Sequence, residues 1–273
     1  MEIIGIIPAR WASSRFPGKP LAMIGGKPMI ERVYVQARKA LDKVVVATDD
    51  PRIYDCVKGF GGEVVMTRSD HRCGTERCLE AYGKMKNDPQ SPWYKQLHGL
   101  SDNEIIVVNI QGDEPFIQPQ QITALCGLFT AQSAPDNASS TEIATLVRPF
   151  RKTDTWEALS NPNTPKVVFS DTDRHAILFS RSVIPYLRDI PQSQWLEKEC
   201  HYGHIGMYAY RGDVLGRIVL FPPSPLEQAE SLEQLRWLEN GITIRVAVSE
   251  QQSIGIDTPE DLQKANRLII DNK

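Results

Sequence analysis

Short apolar runs alternate with amphipathic stretches through the first half of the chain. The runs are rich in isoleucine and valine, which is typical of parallel strands buried on both faces. They predict strands at residues 2–8, 43–50, 63–67 and 104–110. The stretches between them predict helices at residues 27–41, 51–59 and 75–86. Strands that alternate with helices in this order predict a doubly wound α/β fold with a mostly parallel sheet.

Antiparallel structure is predicted in the C-terminal half. After a strand predicted at residues 141–147, the stretch 166–180 reads as two strands around a polar turn at 171–174. A further strand is predicted at residues 242–249. We therefore expect the mostly parallel sheet to carry an antiparallel excursion in this half.

Two helices near the C-terminus carry capping signals. Residues 224–241 predict one continuous helix, with Ser224 as its N-cap and Gly241 just beyond its end. Residues 256–270 predict the last helix, with Thr258 as its N-cap.

Two polar segments interrupt these patterns. Residues 86–103 and 131–140 are rich in turn-forming residues, and a predicted strand follows each of them directly. We interpret both as surface segments of one α/β domain rather than as linkers between domains.

Composition restricts the function. With 31 basic and 34 acidic residues among 273, the chain has no charge excess that would suit nucleic acid or an anionic membrane. It also lacks an apolar run long enough to span a membrane. We therefore expect neither partner.

The cysteines give no pairing pattern. Five cysteines without a C-x-x-C pair suit a reducing cytoplasm, where we expect the protein to reside. The residues that could gather around zinc are Cys73, Cys78, Cys200, His71, His201 and His204. Their spacings match no zinc pattern, so buried thiols and ordinary imidazoles are favoured.

Three cations lie in the loop that follows the first predicted strand. Arg10, Arg15 and Lys19 occur there together with Gly18, where a ligand of an open α/β sheet is expected. Backbone N–H groups and cationic side chains of such a loop can bind phosphate, although a solvated basic loop would look the same. Lys19 is followed by Pro20, so the P-loop motif is absent, as is G-x-G-x-x-G.

Carboxylates follow two other predicted strands. Asp113 follows the strand at 104–110, and Asp257 lies after a strand and just before the last predicted helix. Carboxylates from separate strand ends, completed by phosphate and water oxygens, suit Mg²⁺. The alternatives are a turn aspartate for Asp113 and an adjunct to the helix cap for Asp257.

Several motifs together resemble one family. The chain contains, in order, "IPARWASSRFPGKPL", "VATDD", "GTER", "NIQGDEP", "HAILFSRSVIPY", "HIGMYAY", "ESLEQLR" and "GIDTPEDL". Together they resemble the 3-deoxy-manno-octulosonate (Kdo) cytidylyltransferases, or CMP-Kdo synthetases, within the CMP-sugar synthetases. The resemblance implies the nucleotide-diphospho-sugar transferase type of α/β fold. It also implies a homodimer that uses CTP and Kdo with Mg²⁺ to make CMP-Kdo for lipopolysaccharide biosynthesis.

The resemblance also implies roles for individual residues. For CTP binding it implies Arg10, Arg15, Lys19, Arg72, Cys73, Gly74, Arg77 and Gln111; Arg10, Lys19 and Asp113 are the implied catalytic residues. For Mg²⁺ it implies Asp113 and Asp257. For the acid sugar it implies Arg181, His204, Tyr208, Glu233 and Gln234. Residues 1–125 would then be the nucleotide-binding half of a single domain, and residues 141–273 the sugar-binding half.

The chain departs from the family pattern in the nucleotide loop. The usual "SGTDR" is "CGTER" here, with Cys73 for serine and Glu76 for aspartate. The segment at 86–103 is also longer than the family leads us to expect.

The later motifs are less decisive when taken residue by residue. Tyr208 could equally be a core residue, and Glu227, Glu230 and Glu233 have the helical spacing of a solvated acidic face. Arg181 suits a carboxylate clamp or a surface salt bridge. Two alternatives to a Kdo enzyme remain: a cytidylyltransferase for sialic acid or amino-modified Kdo, and a non-catalytic CTP-binding regulator.

Overall fold

The computed structural model describes residues 1–12, 16–130, 141–251 and 255–271. The chain divides into two compact units. The first comprises Met1–Thr123, Ala209–Val219 and Ser253–Lys273, and the second Ala124–Tyr208 and Leu220–Gln252. Both carboxylates predicted to bind metal, Asp113 and Asp257, therefore belong to the first unit.

In the first 127 residues, strands and helices alternate as the pattern predicts. In chain order they are β1 (Glu2–Ala9), β2 (Met23–Ile24), β3 (Lys27–Pro28), α1 (Met29–Arg38), β4 (Val44–Thr48), α2 (Pro51–Gly59), β5 (Val64–Met66), α3 (Gly74–Asn87), α4 (Tyr94–Leu97), β6 (Ile105–Asn109) and α5 (Pro119–Gly127). The predicted strands and helices of this part are confirmed, with small shifts at their ends.

The remaining elements include the antiparallel strands. They are β7 (Ile143–Pro149), α6 (Trp156–Ser160), β8 (Lys166–Phe169), β9 (Ala176–Ser180), β10 (Tyr202–Arg211), α7 (Gly212–Ile218), α8 (Pro225–Glu230), α9 (Glu233–Glu239), β11 (Ile244–Val248) and α10 (Pro259–Asp271). The predicted hairpin is confirmed as β8 and β9, which pair antiparallel.

In the first unit, the strand order β6-β1-β4-β5 brings the loops after β1 and β6 side by side. Strand β1 pairs parallel with β4 and with β6, for example Ile7 with Val46 and Ile3 with Ile106. Strands β4 and β6 are buried at every position, as their apolar sequences require. The carboxyl ends of these neighbouring strands therefore carry the candidate site.

In the second unit, β11 pairs parallel with β7, and β8 pairs antiparallel with β10. The mostly parallel sheet with an antiparallel excursion is thus confirmed. Its core includes Phe150, Phe179 and Trp237, all of which are almost completely buried.

The prediction of one helix over residues 224–241 is wrong. The chain forms α8 and α9 instead, with Ser231 between them in the left-handed region at φ 50°. The carbonyl oxygens of Glu230 and Ser231 accept hydrogen bonds from the Arg181 side chain at 2.5 and 3.2 Å. Both carbonyl oxygens thus bind Arg181, which directly follows β9, and the helix does not continue through them. The sequence pattern of residues 224–241 alone does not reveal this distant partner.

The expected capping residues are found at both C-terminal helices. Ser224 forms a capping box with Glu227 at the start of α8, and Gly241 has φ 76° beyond α9. Thr258 and Asp261 exchange hydrogen bonds at the start of α10.

The segment 86–103 contains the short helix α4, and its Leu97 is fully buried. The other predicted surface segment, 131–140, lies outside the described residues. Among the described residues, no helix combines the length and apolar character needed to cross a membrane.

Candidate functional site

A polar cavity of about 240 Å³ opens where β1 and β6 end. It is lined by nearly all residues that the resemblance assigns to nucleotide and metal: Arg10, Lys19, Arg72, Cys73, Gly74, Arg77, Gln111, Asp113 and Asp257. Arg15 lies outside the described residues. Side chains from four separate chain segments thus meet in one place, which residue spacing alone could not show.

Lys19 lies between the two carboxylates. Its Nζ is 2.6 Å from Asp113 Oδ2 and 3.3 Å from Asp257 Oδ1. Lys19 begins a 3₁₀ turn after Gly18, whose φ of 72° favours glycine. The turn therefore delivers the ammonium group from the first loop to the ends of two other segments.

Packing and a backbone bond hold the two aspartates near each other. The Ile256 N–H donates to the Asp113 carbonyl oxygen at 2.9 Å. Ile256 also packs in a small core with Ile24 of β2 and Met29 of α1. This packing fixes the position of the residue directly before Asp257. The backbone around the carboxylates is therefore fixed by contacts other than the ion pairs.

The donor set fits a magnesium ion. Both carboxylates reach one ammonium group, so both can also reach one metal cation. Within the described ranges, no cluster of three or more potential protein ligands occurs. Mg²⁺ commonly takes only one or two carboxylates and completes its shell with phosphate and water oxygens, so these two residues suffice.

The first loop is closed by a tryptophan that the sequence analysis did not single out. The Gly18 N–H donates to the Trp11 carbonyl oxygen at 3.1 Å. A Cβ atom on Gly18 would lie 2.9 Å from the Trp11 ring, while the Arg52 guanidinium carbon lies 3.3 Å from the centre of that ring. This cation–π contact and the tight glycine contact hold the two ends of the loop between Arg10 and Lys19.

The departure at Glu76 has a structural role. Its carboxylate accepts hydrogen bonds from the Arg72 N–H at 2.8 Å and from Arg72 Nε at 2.6 Å. Burial acts to raise the pKa of Glu76, but the bonds from Arg72 outweigh it and hold that pKa below its usual value. Glu76 therefore ties down the loop that enters α3 beside the cavity, where Cys73 is the N-cap residue.

Arg77 lines the cavity but gives its hydrogen bonds to the protein. Its Nη2 donates to Asp49 Oδ2 at 2.9 Å, and its Nη1 donates to Thr67 Oγ1 at 2.5 Å. The residue is almost fully buried. It thus connects α3 to the segments after β4 and β5, and its charge is largely matched by Asp49.

The second unit contains the residues that the resemblance assigns to the sugar. His204 and Tyr208 lie on β10 with their rings 5.2 Å apart, and Tyr208 contacts Trp237 edge-on at 5.1 Å. His204 Nε2 is 3.0 Å from Thr145 Oγ1. Burial lowers the pKa of His204 from 6.5 to about 3, so the imidazole is neutral near pH 7.

Arg181 is held by backbone oxygens. Besides its bonds to Glu230 and Ser231, it donates from Nη1 to the Pro162 carbonyl oxygen at 2.7 Å. The Glu230 carboxylate accepts hydrogen bonds from the Ser180 hydroxyl and the Arg181 N–H at 2.6 and 2.7 Å. The surface salt bridge considered from the sequence is therefore not the observed arrangement.

Glu233 and Gln234 begin α9. Glu233 Oε1 accepts a hydrogen bond at 2.7 Å from Nη2 of Arg236, a buried residue that also lies 3.5 Å from Glu227. Gln234 is 5% exposed. The three glutamates with helical spacing therefore bind arginine or serine groups and do not form a solvated acidic face, and Arg236 and Thr145 are polar partners that the sequence analysis missed.

Comparisons with known proteins agree with these features. The sequence model of a family described as cytidylyltransferase matches residues 4–244. A relative from Parabacteroides distasonis named 3-deoxy-manno-octulosonate cytidylyltransferase is 53% identical and covers 97% of each chain. One of the same name from Phocaeicola vulgatus is 52% identical over 98% of each chain. A solved structure of CMP:2-keto-3-deoxy-manno-octonic acid synthetase complexed with CTP is 39% identical, with a TM-score of 0.81 and full coverage of both chains.

Proposed function

We propose that this chain, which belongs to the cytidylyltransferase family, transfers the cytidylyl group of CTP to Kdo and releases pyrophosphate. The chain is a nucleotidyltransferase, as its relatives are. The observation that carries the proposal is the cavity in the first unit, where cations and two carboxylates line one polar space. Such a space suits a triphosphate, because it offers positive charge to the phosphates and carboxylates to a bridging cation.

The reaction requires little covalent work from the protein. The anomeric hydroxyl oxygen of Kdo forms a bond to the α-phosphorus, the bond between the α-phosphorus and the bridging oxygen to the β-phosphate breaks, and the hydroxyl proton passes to solvent. Arg10 and Lys19 would bind phosphate oxygens and offset the charge that develops on the leaving pyrophosphate. Orientation and charge neutralisation would supply most of the rate enhancement.

Asp113 and Asp257 would hold Mg²⁺ at this site. When bound, the ion would neutralise phosphate charge and lower the pKa of the attacking hydroxyl. By fixing the position of the ion, the two carboxylates would orient the phosphate chain. Lys19 would bind phosphate beside them.

The second unit would recognise the acid sugar. A guanidinium group has five N–H donors, and Arg181 gives one bond from each nitrogen to a carbonyl oxygen, so further donors can bind the sugar carboxylate. His204 would act as a neutral hydrogen-bonding group. Tyr208, Glu233 and Gln234 would read sugar hydroxyls, and the burial of Tyr208 and Gln234 makes a missing hydroxyl costly.

Pyrophosphate release from CTP and Mg²⁺ tests the proposal when it is measured against a panel of acid sugars. We expect release with Kdo. Preference for sialic acid or amino-modified Kdo would assign the chain to a sister activity. CTP binding without release for any sugar would instead identify a CTP-binding regulator.

We further propose a homodimer, on the strength of the family resemblance, and a cytoplasmic location, which five cysteines without a C-x-x-C pair suit. Light scattering coupled to size-exclusion chromatography should give twice the chain mass. A mass equal to one chain would contradict the dimer.

A further inference from the structure

The contacts of Lys19 with two carboxylates indicate a role beyond phosphate binding. Its ammonium group is bonded to the same two carboxylates that would hold the metal ion. The Lys19 side chain is only 15% exposed, whereas Asp113 and Asp257 are 30% and 51% exposed. The lysine side chain is therefore more buried than either carboxylate that it contacts.

Ammonium and a divalent cation compete for these oxygens. The two carboxylates and Lys19 together carry one net negative charge. A divalent cation bound to the same carboxylates would lie within a few ångströms of the ammonium group, where like charges repel strongly in a partly buried site. The cation can therefore bind well only when the ammonium group has another partner.

A triphosphate supplies that partner. Its oxygens accept charge-assisted hydrogen bonds from a lysine ammonium group, which is a flexible point charge on a four-carbon stem. The lysine can rotate toward phosphate while its backbone stays in the 3₁₀ turn. The negative charge of the nucleotide also offsets the added divalent charge.

We propose that Lys19 makes binding of the divalent cation depend on the nucleotide, because it competes for Asp113 and Asp257 until a triphosphate accepts its ammonium group. This inference rests on the proposed function for the identity of the nucleotide and the metal pair. The cation alone binds weakly, and the cation and the nucleotide strengthen each other's binding. The coupling is reciprocal, as linkage requires.

Titration of the protein with Mn²⁺ alone, without CTP or sugar, tests the coupling. Isothermal titration calorimetry on the wild type and on Lys19→Met gives the two affinities, since methionine keeps the unbranched stem and removes the charge. We expect Lys19→Met to bind Mn²⁺ about tenfold more tightly than the wild type. Equal or weaker binding by the variant would overturn the proposal.

Further variants locate the effect. Lys19→Arg keeps a positive charge and should bind Mn²⁺ as weakly as the wild type. In the Lys19→Met background, Asp113→Asn should abolish the gained affinity, and a gain that persisted would also overturn the proposal. If Lys19→Met does not fold by circular dichroism, Lys19→Gln serves in its place with the same expected gain.

The titration separates this inference from the proposed function. It needs no turnover, so a chain that released no pyrophosphate with any sugar would contradict the enzyme activity, and the Mn²⁺ affinities would still decide the role of Lys19. Conversely, pyrophosphate release by the wild type together with an unchanged Mn²⁺ affinity in Lys19→Met would reject the competition and leave the proposed activity standing.

Discussion

The candidate sites of the two units differ in how their polar groups are used. In the first unit, Asp113 and Asp257 remain 30% and 51% exposed, and both contact the flexible side chain of Lys19. In the second unit, Arg181 and His204 are bonded to backbone or buried hydroxyl oxygens. A site with exchangeable ion pairs suits a charged nucleotide and its metal ion. A site with fixed hydrogen bonds suits discrimination among hydroxyl groups.

Substitutions in the two units should therefore have different effects. Changes in the first site should reduce activity with little effect on folding. Changes in the second site should reduce folding stability and sugar binding together, because the same bonds hold the local backbone.

The largest effect is expected for Asp113→Asn. Loss of a carboxylate from the proposed metal pair should lower kcat/KM by about 10³-fold. The melting temperature should change little, since Lys19 keeps Asp257 as a partner. The control is Asp171→Asn, in a turn where the side chain is 96% exposed, which should keep full activity.

Arg181→Lys should lower both stability and sugar affinity. A lysine cannot donate to Pro162, Glu230 and Ser231 at once, so carbonyl oxygens would lose protein partners, at about 0.5–1.5 kcal/mol. We expect a rise of about tenfold or more in the KM for Kdo, with the KM for CTP nearly unchanged.

Arg188→Lys is the matched control, since the Arg188 side chain is 90% exposed. Urea unfolding and steady-state kinetics on both variants measure the difference. A variant Arg181→Lys with wild-type stability would contradict the structural role of the carbonyl bonds.

His204 should make the second unit sensitive to acid. Its folded pKa of about 3 lies below the ordinary 6.5, so below pH 6.5 the unfolded state binds a proton that the folded state does not. The protein should lose about 2 kcal/mol of stability from this group between pH 7 and about pH 5, and none above pH 7.

Urea unfolding at the two pH values measures this loss. His204→Gln should remove that part of the loss, whereas the corresponding change at the exposed His98 should not. The same pH dependence in the wild type and in His204→Gln would show that the imidazole does not stay neutral.

Gly18→Ala should have the smallest effect, and it tests the rigid part of the first site. Both Gly18 and Gly26 have positive φ, but only at Gly18 would a Cβ atom meet the Trp11 ring. Each substitution should cost about 1 kcal/mol for its backbone conformation. Only Gly18→Ala should also raise the KM for CTP by a few-fold, and equal KM values for both variants would argue against the tryptophan contact as a support of the loop.

The sequence predicted the first unit better than the second for a physical reason. Buried parallel strands and the loops that follow them are local patterns, so the placement of Lys19 and Asp113 at strand ends could be inferred from short segments. The break between α8 and α9 depends on Arg181, which lies about fifty positions away in the chain. Helical periodicity reports only local spacing, so it does not reveal such a partner.

Other details were missed because they depend on close packing. The contacts of Trp11 with Gly18 and Arg52 form only in the folded conformation of the loop, and no sequence pattern predicts them. The buried pairing of Glu233 with Arg236 could have been suspected from the three-residue helical spacing, which suits ion pairs as well as solvated faces.

The division of work between the two units can be tested most directly by kinetics that vary CTP and Kdo independently. Initial rates of pyrophosphate release would be measured for the wild type, Lys19→Ala and Gln234→Ala. We predict that Lys19→Ala sharply lowers kcat/KM for CTP in a folded protein, and that Gln234→Ala raises the KM for Kdo while leaving the KM for CTP nearly unchanged. Near-wild-type kcat/KM in Lys19→Ala, or equal losses for both substrates in Gln234→Ala, would contradict the account.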